Sequence, residues 1–285
     1  MFMYSFRGSL PPPEFVAAVR SGEAAAFCLF NYNAGTPQAV RALTEPLYAA
    51  ARDGHLPPPI LGIDQEGGQL MAVTGGATEL PGNMALGATR SARLAVDAGR
   101  VLGRELLALG VNMNFAPSLD VNNNPANPVI GIRSFGESPA LVAELGIAVM
   151  RGIESEGVIA TLKHFPGHGD VQGDTHHVAP VVKHPRAYLE NVEFYPFREA
   201  IDAGARAVMS SHLIFEAVDA DNPATLSPAV MTGLLRGEMG FSGLTLTDAM
   251  DMYAVARFGT PGIRQALDAG NDLVLLGHIP DQLAL

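Results

Sequence analysis

One cysteine stands in the 285 residues, Cys28, so no disulfide can form within the chain. It lies in an apolar run and reads as a buried, inert thiol, which fits a reducing compartment. Positive charge is also scarce: 18 Lys plus Arg face 29 Asp plus Glu, for a net charge of −11. That balance argues against nucleic acid and anionic membrane surfaces as partners. No window holds roughly 18 uninterrupted apolar residues, so no membrane span is expected. The opening Met1-Phe-Met-Tyr-Ser-Phe-Arg-Gly8 lacks the basic start and long apolar stretch of a signal peptide, and a cytoplasmic location is the expectation. No linker, low-complexity tract or charge block divides the chain, which is expected to be a single catalytic domain over residues 1–285. What is present is ample apolar content, 48% with a mean hydropathy of +0.18, enough to bury a large core.

One phrase recurs along the chain. An amphipathic segment ends in Gly, a short apolar run follows, and that run ends in polar residues. Ser91–Leu109 closes at Gly110 and leads to Val111–Pro117. Ser138-Pro139 opens a helix that closes near Gly157 and leads to Val158–His164. Leu189–Ala203 closes at Gly204 and leads to Ala207–His212. Ser227-Pro228 opens a helix that closes near Gly240 and leads to Leu244–Asp248, and Pro261–Ala269 closes at Gly270 before Asp272–Leu276. Ser caps free N–H groups, Pro is tolerated at the first helical position, and Gly takes the left-handed conformation past the last turn. The runs are too short for helices and barely alternate, as expected of strands buried on both faces of a parallel sheet. Phe27–Tyr32, Pro59–Asp64 and the opening Met1–Phe6 complete eight strands. Eight parallel strands with alternating helices predict a (β/α)₈ TIM-type barrel of the α/β class. The rival, a doubly wound open sheet, lacks its Gly-rich fingerprint after the first strand. The chain stops at Leu285, so the last barrel helix is expected to be missing or very short, or a longer protein continues beyond it.

Polar residues gather at the C-terminal strand ends: Asp64, Asn114, Lys163, His164, His212 and Asp248. That is the face on which barrels carry their active sites. The densest stretch is Lys163-His-Phe-Pro-Gly-His-Gly-Asp170 followed by Asp174-Thr-His176. Asp174, two residues before His176, could hold the imidazole proton on one nitrogen and make His176 a general acid/base. The spacing of His164, His168, His176 and His177 matches no helical metal motif, so no metal is expected. Asp248 could be a nucleophile, a metal ligand or the cap of the next helix. Asp64, in Asp64-Gln-Glu-Gly-Gly68, reads either as part of a flexible structural turn or as a clamp for sugar hydroxyls. Lys163, His164 and Arg133 near one face suit substrate positioning. Gly167, Gly169 and Gly173 read as hinges of a mobile loop.

These motifs, together with Thr247-Asp-Ala-Met250, resemble those of the glycoside hydrolase family 3 β-N-acetylhexosaminidases of the NagZ type. Asn114–Asn123 and Gly131-Ile-Arg-Ser-Phe-Gly136 are similar to further segments of that family, in family order. The resemblance implies a retaining exo-β-N-acetylglucosaminidase that needs no cofactor or metal. It implies that Asp248 is the nucleophile and that His176, oriented by Asp174, is the acid/base, in place of the usual second carboxylate. It implies that Asp64, Arg133, Lys163 and His164 bind the terminal sugar. The implied substrate is a small carbohydrate, an N-acetylglucosamine-containing muropeptide or disaccharide, in peptidoglycan recycling. Two departures stand out: no Arg follows Gly68 within a few residues, and Thr175 takes the place of Ser. A phosphorylase remains open, because an uncharged histidine does not repel phosphate. A β-glucosidase or β-xylosidase of the same family is disfavoured by the Asp-x-His loop, and a catalytically silent sugar-binding barrel by the presence of both halves of the apparatus.

Overall fold

The structure, a computed structural model, describes residues 1–171 and 180–285. Its framework alternates strand and helix. The order is β1 (Phe2–Met3), α1 (Pro13–Ser21), β2 (Ala26–Leu29), α2 (Pro37–Asp53), β3 (Ile60–Ile63), α3 (Ala92–Ala108), β4 (Met113–Asn114) and α4 (Pro139–Ser155). It continues with β5 (Ile159–Phe165), α5 (Tyr195–Asp202), β6 (Ala207–Ser210), α6 (Ala229–Glu238), β7 (Leu244–Thr247), α7 (Gly259–Ala269) and β8 (Val274–Leu275). Strands β2 to β7 form one parallel sheet in sequence order. β1 pairs in parallel with β8, and the bridges Tyr4 to Phe27 and Leu246 to Leu273 join that pair to the sheet on both sides. The ring is therefore closed, a (β/α)₈ barrel. Beyond β8, among the described residues, there is only a 3₁₀ turn at Gln282–Ala284.

Successive side chains of a strand point to opposite faces, and this sorts the core into two parts. Met3, Ala26, Cys28, Met113, Ala207, Met209, Leu246 and Leu275 fill the barrel interior together with Phe115. Their neighbours Phe27, Leu29, Leu61, Ile63, Ala160, Leu162 and Val208 pack outward against the helices. Gly62 leaves room for this filling, since a Cβ there would lie 2.4 Å from the Phe115 ring. Both strand faces are buried, which is why the sequence shows apolar runs instead of alternation. The same parity aims the site. Ile60, Gly62 and Asp64 share a face of their strand, as do Ile159, Thr161 and Lys163, and Leu244, Leu246 and Asp248. The interior-facing rows thus end in charged groups at the C-terminal mouth.

Helix signals read from the sequence correspond to real caps. Ser91 and Ser138 accept from the N–H groups of Leu94 and Leu141, and Gly270 takes the left-handed conformation after α7. α3 and α4 cross closely through Gly99 and Gly152, where a Cβ would lie 2.3 Å from the Val149 and Val96 carbonyls respectively. This fixes α4, the helix that feeds β5. The expected helix Leu189–Ala203 is two helices: Arg186–Asn191, then α5 with Pro196 in its first turn. Proline has no N–H for a continuous ladder, so it starts a helix here. α6 is a wide π-type helix. The expected strand Val111–Pro117 narrows to Met113–Asn114, because side chains replace ladder bonds: Asn112 accepts from Leu61 N–H at 2.8 Å and Asn114 from Gln65 N–H at 3.1 Å.

Candidate active site

A cavity of about 360 Å³ opens at the C-terminal mouth of the barrel. Asp64, Arg133, Lys163, His164 and Asp248 all line it, joined by His168, Asp251 and His278. Asp174 and His176 lie outside the described residues.

Charge at the closed end is tightly paired. Lys163, only 2% exposed, places Nζ 2.6 Å from Asp64 Oδ1 and 2.7 Å from Glu66 Oε1. Arg133 grips Glu66 with two parallel bonds, Nε to Oε2 at 3.0 Å and Nη2 to Oε1 at 2.8 Å. Burial would raise the Glu66 carboxyl, but Lys163 and Arg133 outweigh it and hold it at about 2. Burial alone would lower Lys163; Asp64 and Glu66 reverse that and raise it. Glu66 and Lys163 are thus held in their charged forms, and Asp64 is the more exposed carboxylate facing the cavity.

Glu66 sits on a short antiparallel hairpin, Gln65–Gly67 against Leu70–Met71. The Asp64–Gly68 segment was expected to be a flexible turn. It is instead fixed: Gln65 bonds both the N–H and the carbonyl of Val73 at 3.0 Å, and Gly67 and Gly68 take positive φ at the turn. Glu66, missed as a site residue, was visible only as the second carboxylate of that segment.

His164 is held from behind by Asp120, which is fully buried. Its Nδ1 lies 2.7 Å from Asp120 Oδ2, and its Nε2 lies 3.4 Å from Arg133 Nη2. Arginine can only donate, so the Arg133 contact is a hydrogen bond only where Nε2 accepts, whereas Nδ1 faces the Asp120 carboxylate. Asp120 also accepts from Ser118 Oγ at 2.8 Å and from the backbone N–H groups of His164 and His168 at 3.1 and 2.7 Å. Burial pushes this carboxyl up, but the His164 contacts bring it well below the usual carboxylate range. β5 loses regular register with β6 between Leu162 and Phe165. Such an irregularity re-aims a side chain, and it lets adjacent Lys163 and His164 both reach the cavity.

Asp248 follows β7. Its Oδ1 accepts from Ala249 N–H at 2.7 Å. Burial would raise its carboxyl, yet His164, His212 and the Ala249 N–H lower it below its ordinary value. His212 braces this turn, donating from Nε2 to the Ala249 carbonyl at 3.0 Å.

The segment after β5 is closely packed up to residue 171, and Gly173 lies outside the described residues. A Cβ on Gly169 would lie 1.7 Å from the Val121 carbonyl, and one on Gly167 2.5 Å from Glu193 Oε2. Asn127 donates to the carbonyls of His168 and Gly169 at 2.7 and 2.9 Å. Asp170 Oδ2 meets His184 Nε2 at 2.5 Å, tying together the two flanks of residues 172–179. Glycine is needed at 167 and 169 for close approach.

Under this segment lies Glu193, 1% exposed, with Oε1 accepting from Asn123 at 2.9 Å. Burial raises its carboxyl to about 8, aided by Asp120 and Asp170 and opposed by Asn123. A raised carboxyl binds its proton more tightly folded than unfolded. Its stabilising share is present below the unfolded value of 4.5 and is lost as pH rises toward about 8. Glu193→Gln keeps the shape and cannot ionise. It is expected to leave the melting temperature nearly unchanged at pH 5 and to raise it at pH 8, by up to roughly 4 kcal/mol in stability. Equal melting curves of the two proteins at pH 8 would remove the raised carboxyl from the account.

A closed α/β barrel with carboxylates and buried cationic donors gathered in a pocket at its C-terminal mouth has the arrangement in which barrels carry small-molecule sites. The chain belongs to glycosyl hydrolase family 3: residues 12–282 match the family's N terminal domain. It is 38% identical to Beta-hexosaminidase A of Pseudoalteromonas piscicida over 93% of this chain and 48% of that protein. It is 38% identical to a Beta-hexosaminidase of Nitrosomonas eutropha over 89% of this chain and 73% of that one. Among solved structures, the glycoside hydrolase family 3 beta-N-acetylglucosaminidase from Paenibacillus sp. str. FPU-7 superposes with a TM-score of 0.96 at 45% identity, covering 99% of this chain and 54% of that one. NagZ from Neisseria gonorrhoeae, in complex with N-trifluoroacetyl-D-glucosamine, gives 0.90 at 31% identity, with 99% and 83% covered. The chain thus spans about half the length of two of these relatives.

Proposed function

We propose that this chain is a retaining exo-β-N-acetylglucosaminidase, a single catalytic domain that releases terminal β-linked N-acetylglucosamine. The observation that carries this reading is the convergence of Asp64, Arg133, Lys163, His164 and Asp248 on one closed-ended pocket, in a chain related to beta-hexosaminidases. Asp64, Lys163, Arg133 and His164 would hold the sugar hydroxyls, with ionised carboxylate accepting and cations donating. Asp248, kept ionised, would attack the anomeric carbon and form a glycosyl-enzyme intermediate. His176, paired with Asp174, would protonate the leaving oxygen and then activate water. The substrates would be N-acetylglucosamine-containing muropeptides or disaccharides in peptidoglycan recycling, in the cytoplasm. No described helix is long and apolar enough to cross a membrane.

The test is turnover of an aryl N-acetyl-β-glucosaminide, followed by NMR of the first-formed sugar. Release of the β-anomer of N-acetylglucosamine is expected. First-formed α-anomer would exclude a retaining hydrolase, and sugar-1-phosphate in phosphate buffer would make the enzyme a phosphorylase. No turnover by protein that still binds N-acetylglucosamine would favour the silent barrel.

A further inference from the structure

The hydroxyl clamp leaves Phe30 and His278, which line the same cavity, unexplained. They belong to an aromatic cluster that runs outward from the cavity to Tyr32, which lies beyond its lining. Phe30 and Tyr32 stack with ring centroids 5.5 Å apart and planes 20° apart, and His278 lies 4.6 Å from Phe30 and 5.6 Å from Tyr32. Phe30 and His278 line the same cavity as Asp248.

Phe30 and His278 are fixed by the fold. Asn33, buried in the turn after β2, accepts from Phe30 N–H at 3.1 Å and donates to the carbonyls of Phe6 and Gly8 at 2.9 and 2.7 Å. His278 Nδ1 is 2.7 Å from Asp251 Oδ2. That approach depends on Gly277, at φ +62°, where a Cβ would lie 1.8 Å from Asp251 Oδ1. Holding rings in place before a ligand arrives reduces the ordering cost of binding.

Exposure gives the direction. The clamp end is closed: the Lys163 and Glu66 side chains are 2% exposed. Tyr32 is 43% exposed and the His278 side chain 37%. An exo-acting enzyme holds the terminal sugar at the closed end, so the rest of the substrate leaves toward solvent, past this cluster. A pyranose ring offers an apolar C–H face to an aromatic ring and hydroxyls to a carboxylate. We propose that Phe30, Tyr32 and His278, with Asp251 pinning His278, form the site that holds the leaving sugar ring. The ligand class is a β-linked N-acetylated disaccharide. The proposal rests on the glycosidase reading above.

Two substrates test it, N,N′-diacetylchitobiose and methyl N-acetyl-β-glucosaminide, the second having almost no leaving group to stack. For Tyr32→Ala and His278→Ala, the ratio of kcat/KM for the disaccharide to that for the methyl glycoside is expected to fall about tenfold, mainly through KM. Asp251→Asn, which keeps a hydrogen-bonding group toward His278, is expected to fall less than His278→Ala. Equal losses on both substrates, or no loss on either, overturn the proposal. If the wild type hydrolyses neither compound, the glycosidase reading fails, and calorimetry still decides the site. The wild type is expected to bind the disaccharide more tightly than N-acetylglucosamine, and His278→Ala to bind both alike. A wild type without that preference overturns the sugar-ring site whatever the chemistry.

Discussion

Asp248→Ala is expected to lower kcat by about 10⁴-fold, in line with removal of a group acting at the reacting atom. Stability should barely change. Among the described residues the carboxylate makes one bond, to the Ala249 N–H, and loss of a single capping bond costs about 1 kcal/mol. A small anion such as azide or formate can enter the space left by the side chain, and restoring turnover with it would place the lost function at the anomeric carbon. The pH profile gives a second check. His164 and His212 lower the Asp248 carboxyl against the effect of burial, so the acid limb of wild-type kcat/KM attributable to this group lies below its ordinary value of 3.8. Steady-state kinetics with an aryl glycoside decide the matter. Turnover within tenfold of wild type would remove Asp248 from the nucleophile's role.

The largest stability effect is expected at Glu66. Its carboxylate is the shared partner of Lys163 and Arg133. Glu66→Ala leaves Arg133 with no carboxylate at its Nε and Nη2 and leaves buried Lys163 with Asp64 alone. Breaking a buried ion pair from one side costs about 3–5 kcal/mol. Urea denaturation at pH 7 reads this directly, and a loss below 1 kcal/mol would contradict it. Linkage gives the sign with pH. The folded carboxyl is depressed to about 2 from 4.5. Its stabilisation is full above 4.5 and disappears as pH falls through about 2. The wild type should lose stability across that window and Glu66→Ala should lose less, so the two denaturation midpoints converge in acid. Activity should fall too, by roughly 100-fold, because the two cations proposed to hold the sugar lose the group that orients them.

Glu66 and Asp120 also mark the boundary of what the chain says in one dimension. Lys163, His164 and Asp248 could be picked out because each ends an apolar run, and a strand's alternation carries its last polar residue into the barrel mouth. Glu66 and Asp120 end no such run. Their meaning comes from residues about a hundred and about forty-four positions away, namely Lys163 and His164. The glycines after β5 show the same limit. Read locally, Gly167 and Gly169 suggest freedom; in the fold, Glu193 and the Val121 backbone occupy the space any side chain would need. The same holds for the Asp64–Gly68 turn, which Gln65 fastens to Val73. Pro196 was a local signal in plain sight, and it divides the helix that periodicity alone would run together.

By itself, the sequence determined the barrel and the edge on which its chemistry lies. Caps, glycine stops and short apolar runs are local signals, and eight repeats of one strand-helix phrase leave few ways to bury every apolar face. Tertiary structure alone decided which charges neutralise one another, which nitrogen of His164 faces Asp120, and that Phe30, Tyr32 and His278 form one aromatic cluster. Those outcomes depend on distances between residues far apart in the chain, and electrostatic and packing energies are set by such distances, not by sequence separation.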